Sequence, residues 1–120
     1  MSVTVEQLRD HAFDEASAAD SVITRMWAID RLFFAAFHAT CRALQLRPTD
    51  YVDHHAPVGA ALEVAGKPQA ASDFLRLDQL RGMAMEAAEP QAGPDELREA
   101  VRLADRVLAE VGAARPSTLN

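Results

Sequence analysis

The sequence is poor in the residues that staple or punctuate a chain. It has one cysteine, Cys41, with five glycines and six prolines in 120 residues. One cysteine excludes an intramolecular disulfide, and no Cys/His spacing of the zinc type is present, so neither a disulfide scaffold nor a zinc finger is expected. No cofactor motif is present either. A reducing, cytoplasmic setting fits. The N-terminal stretch has no basic-then-apolar leader, and no apolar run approaches the ~20 residues of a membrane span. Cations are scarce too: 12 Lys and Arg stand against 18 Asp and Glu, a formal net charge of −6. An acidic chain gains little from non-specific attraction to a nucleic-acid backbone, so RNA or DNA binding requires a local basic patch.

What is present is alanine and helical periodicity. Apolar residues make up 49% of the chain, a globular proportion, and few windows alternate with period two. The expected fold is all-α: an up-and-down bundle of four main helices plus a short one, in a single domain over 1–120. Its core spans about 5–112, and the tail from 113 is expected to be loose. Thr4 with Gln7 has capping-box spacing and predicts a first helix fading near Ser17–Asp20. Asp20 or Ser21 caps a second helix that runs to about Leu46 and is stopped by Pro48. Arg47–Pro57 reads as a loop. A short helix over Pro57–Val64, a helix over Ser72–Ala88 with Ser72 as cap, and a last helix from Pro94 to Gly112 complete the pattern. A core of this size is modest, so a homodimer is the expected assembly.

The second helix carries the chemistry. Val22, Met26, Ile29, Phe33, Ala36, Phe37, Thr40 and Leu44 follow the 3.6 period on a core face. On another side Arg31 and His38 lie seven residues apart, two turns along one stripe, with Arg42 one turn further. Ala28, Ala35 and Ala39 form a floor of methyl groups beside them, where a second subunit's backbone can approach. A guanidinium forks onto phosphate and an imidazole moves protons near neutral pH. Together they are a sufficient kit for metal-independent RNA cleavage. The competing structural account pairs Arg31 with an acid, Asp30 being adjacent, and treats His38 as a hydrogen-bonded core histidine. Arg81 is a candidate second guanidinium near the bundle centre, the structural alternative being a pair with Asp78 or Glu86. His54 and His55 are neighbours that point opposite ways in an extended segment, a poor metal pair, and read as surface or capping residues. Cys41 reads as a small buried hydrophobe.

The run Asp30-Arg31-Leu32-Phe33-Phe34-Ala35-Ala36-Phe37-His38-Ala39 resembles the central helix of HEPN domains (higher eukaryotes and prokaryotes nucleotide-binding). The stretches His54–Leu62 and Leu77–Met85 are similar to further family segments, and the resemblance covers about residues 5–112. It implies a dimeric four-helix bundle. In the family's ribonucleases an Arg-x(4–6)-His motif from each subunit meets across the dimer, so the resemblance gives catalytic roles to Arg31 and His38. Asp30, Arg42 and Arg81 are the accompanying ligand-binding candidates, with no metal. Other members bind RNA or nucleotides without cleavage, or pair with small nucleotidyltransferases in toxin–antitoxin couples. Leu32 stands where ribonuclease members usually carry a polar residue, and Asp30 replaces a serine. These departures favour a module that binds RNA, a nucleotide or a partner protein over the endoribonuclease. A dimeric scaffold with no ligand is the third alternative.

Overall fold

A computed structural model describes residues 2–116. Among them are five α-helices, a short 3-10 turn and no strand. The helices are α1 (Val5–Ala18), α2 (Val22–Leu44), α3 (Ala56–Val64), α4 (Pro68–Met85) and α5 (Pro94–Glu110), with the 3-10 turn at Pro48–Tyr51. The chain is an all-α helical bundle, as the periodicity predicts.

Local chemistry sets most of the helix ends. Thr4 and Ser21 each accept a hydrogen bond from the backbone N–H three residues on, and Gln7 and Thr24 reciprocate. Each pair satisfies two donors that have no partner inside the helix. α2 stops earlier than Pro48 requires. Gln45 turns left-handed (φ 58°), and the Leu46 N–H returns to the Cys41 carbonyl at 2.8 Å, satisfying an orphan carbonyl of the last turn. α4 begins four residues before the expected Ser72, at Pro68. Proline at the first helical position gives up only an N–H that would be unpaired there, so Pro68 starts a helix as well as breaking the chain before it. α3 closes on Gly66 (φ +82°), a conformation glycine adopts without steric cost.

α2 is the axle and packs against each of the other four helices. Its Ile29, Phe33 and Phe37 are fully or almost fully buried, with Phe74, Leu77 and Leu80 of α4 and Val107 and Leu108 of α5. The Phe33 and Phe74 rings meet at 5.4 Å. Each such side chain contributes about 1.5–3 kcal/mol of apolar burial. α3 fits closely on α4, because a Cβ at Gly59 would lie 2.9 Å from Leu75 Cδ2.

Charged pairs fasten the periphery. Arg106 forks onto buried Asp73 (2.6 and 2.9 Å), and Arg76 onto Glu99 (2.8 and 3.0 Å), both joining α4 to α5. Glu99 and Arg106 therefore serve interhelical contacts. The tail also differs from expectation. Ala113 is buried, and Arg9, itself buried, donates to the Ala113 and Ala114 carbonyls at 3.2 and 3.0 Å. Arg115 forks onto Asp105 and stacks over Phe13. The chain is thus held through Arg115, and the rest of the expected loose tail, 117–120, lies outside the described residues.

Candidate functional site

α1 lies antiparallel along α2. Glu15 Oε1 reaches Arg31 Nε at 3.4 Å, and at the other end Glu6 forks onto Arg42 at 2.7 and 3.0 Å. Beneath this clasp Ala28, Ala35 and Ala39 are 0%, 2% and 0% exposed. The alanine floor expected to receive a second subunit is therefore already buried inside the chain. Periodicity shows that a face is covered; it does not show by what.

The stripe beside the alanines stays open. Trp27 and Arg31 are exposed and Phe34 and His38 half-buried, with exposed Arg42 toward the C-terminal end. Arg31 and His38 stand on this face together, separated by roughly 10 Å along the axis at 1.5 Å per residue. Arg31 is loosely held. Besides Glu15, it lies 3.8 Å from Asp30 Oδ2 and 5.7 Å from the Trp27 ring centroid, and 42% of its side chain is exposed. His38 makes no hydrogen bond among the described residues; its ring meets the Phe37 ring edge-on at 5.4 Å. Burial holds its imidazole below the ordinary histidine value and so favours the neutral form.

Asp30 and Arg81 belong to a different arrangement. Arg81 Nε donates to Asp30 Oδ1 at 3.1 Å, and its Nη1 to Glu86 Oε1 at 3.0 Å. The guanidinium lies over the Phe34 and Phe33 rings at 5.1 and 5.6 Å. Asp30 thus bonds Arg81 more closely than its neighbour Arg31. Arg42, in its bidentate pair with Glu6, is held more tightly than Arg31. The open face therefore brings together Arg31 and His38 with Arg42 at its end, while Asp30 and Arg81 pair on its flank.

His55 departs from the surface role expected of it. Only 9% of its side chain is exposed. It sits against the Phe33, Phe37 and Phe34 rings at 4.8, 5.4 and 5.7 Å. Nδ1 faces Asp78 Oδ1 at 3.2 Å and Nε2 faces the Val52 carbonyl at 2.9 Å. Both partners are acceptors, and a neutral ring donates its single N–H to one of them. His55 is a strut that fastens the 48–55 loop over the phenylalanine cluster. Sequence reading missed Asp78 as its partner; the only signal was an aromatic cluster that needed a cover. His54 is exposed. The Cys41 thiol is buried and pushed up to about 11 by desolvation, so it is no nucleophile. No group of three or more His, Cys, Asp or Glu side chains among the described residues is placed to hold a metal ion, and no described helix is long and apolar enough to cross a membrane.

Compared with protein-family models, with curated proteins and with solved structures, the chain matches none.

Proposed function

We propose that the chain is a cytoplasmic HEPN-like module that binds a phosphate-bearing ligand, RNA or a nucleotide, on the open face of α2. It acts as a homodimer in which two such faces meet, with a small nucleotidyltransferase as partner in a toxin–antitoxin-type system. One observation carries this reading: Arg31 and His38 share the uncovered face, the first loosely paired and the second without a hydrogen-bond partner among the described residues. A guanidinium at 3.4 Å from one carboxylate oxygen exchanges that partner for a phosphate at little cost, because exposed ion pairs contribute only about 0–1 kcal/mol.

The test is RNA binding in buffer containing a chelator, with sedimentation to measure mass. Arg31→Ala is expected to weaken binding at least tenfold while leaving helicity and mass unchanged. Unchanged binding refutes Arg31 as the anchor, and a strictly monomeric mass removes the dimer.

A second reading is favoured by His38 alone. A neutral imidazole with no hydrogen-bond partner is a competent general base. In an endoribonuclease it would take the 2′-hydroxyl proton as that oxygen attacks phosphorus. The partner's His38, in its protonated form, would give a proton to the departing 5′-oxygen, and Arg31 would hold the charge that builds between them. On that account His38→Ala lowers metal-free cleavage by about 10²–10⁴. Absence of cleavage by the unaltered protein leaves the binding module as the reading.

A further inference from the structure

Beside Arg31 the turn between α1 and α2 opens a cavity of about 410 Å³, lined by Glu15, Ala18, Ala19, Thr24, Trp27 and Arg31. The volume is that of a small-molecule site. Its composition is a flat aromatic wall, two methyl groups, a carboxylate and a guanidinium. Trp27 is 46% exposed, uncommon for the chain's single tryptophan when the other large aromatic rings of α2 are buried or half-buried. The guanidinium of Arg31 lies over one face of the indole, 5.7 Å from its centroid, so the stacking surface left to a base whose phosphate it holds is the ring's other face.

We propose that this cavity is a nucleobase subsite: a base stacks on Trp27 while its own phosphate lies on Arg31. The inference rests on the reading of Arg31 as a phosphate ligand and deepens it, because it requires a ligand whose base is free of other stacking. That describes a free nucleotide or a single strand rather than a duplex. Glu15 adds selectivity. Its Oε1 lies 3.4 Å from Arg31 and 2.8 Å from His11, at the edge of the cavity. A carboxylate only accepts, so an exocyclic amine, as on adenine or cytosine, fits better than the uracil carbonyl.

Trp27 is the only tryptophan, so its fluorescence reports the subsite directly. The full chain is titrated with AMP, UMP, adenosine and inorganic phosphate, by fluorescence and by calorimetry. Saturable quenching by AMP, weaker by UMP, is expected. Trp27→Ala is expected to weaken AMP binding by about 5- to 100-fold, the range of one base–aromatic stack, while Trp27→Phe retains most of it. Equal calorimetric affinity for AMP and phosphate, unchanged in Trp27→Ala, overturns the subsite and leaves the phosphate reading standing. Quenching by adenosine as strong as by AMP and indifferent to Arg31→Ala supports the subsite and overturns Arg31 as the phosphate ligand. No heat and no quenching from any of the four overturns both, and equal binding of UMP and AMP overturns the role of Glu15.

Discussion

Two arginines border the exposed stripe of α2, and their surroundings differ. Arg81 is 17% exposed, reaches Asp30 and Glu86 at 3.1 and 3.0 Å, and covers two phenyl rings. Arg31 is 42% exposed and, among the described residues, has only a 3.4 Å and a 3.8 Å carboxylate contact. Both carry the same charge, yet one is enclosed by partners from its own chain and the other has capacity to spare. The histidines repeat the contrast: His55 has an acceptor facing each ring nitrogen, whereas His38 makes no hydrogen bond among the described residues. One flank of α2 is thus a finished structural joint and the other a surface with unused chemistry, which is why the functional proposals rest on the second.

The largest expected effect tests that division directly. Arg81→Met leaves Asp30 charged and largely enclosed, and a broken buried pair costs about 3 kcal/mol or more. Arg31→Met removes an exposed, loosely held charge and is expected to cost under about 1 kcal/mol. Chemical denaturation of the two variants at pH 7 measures both. Equal losses would mean that Arg31 is as structural as Arg81 and would take the phosphate ligand away from the open face.

Cys41 tests how far the closed flank extends. It lies eleven residues past Asp30, three turns along the same side of α2, and is fully buried. With its thiol pushed up to about 11, it carries about 100-fold less thiolate than an unburied cysteine. Labelling by an aromatic disulfide reagent at pH 8 is expected to be correspondingly slow in the folded chain and fast in denaturant. Rapid labelling of the folded protein would show that this end of the flank opens.

Interactions between near neighbours were legible in the sequence. The Thr4–Gln7 capping box, the end of α1, the apolar face of α2 and the Pro94 start of α5 follow from spacings of a few residues. Partner choice was not legible. His55–Asp78 and Asp73–Arg106 join positions 23 and 33 residues apart, and an acidic sequence offers each cation several equivalent carboxylates. Only packing selects among them. The alanine floor of α2 shows the same limit, since its small residues signal close approach but not whether α1 or another copy makes it. Arg31 and His38 could be placed on one stripe from their spacing, but whether that stripe stayed open depended on where α1 settled.

The smallest expected effect concerns His38. Burial lowers its pKa from the ordinary 6.5, so the unfolded chain binds a proton at that site more readily than the folded one. Between the folded value and 6.5 the unfolded state holds more protons, and stability therefore rises with pH across that window. Acidification through 6.5 withdraws this contribution until the folded site is protonated as well. His38→Gln removes the proton and keeps a comparable volume. Its stability is expected to fall less steeply than that of the unaltered chain between pH 6.5 and 5, with the two converging above pH 7.5. Parallel profiles would mean that His38 is no more desolvated than a surface histidine, and the open face would lose the neutral imidazole on which its proton chemistry depends.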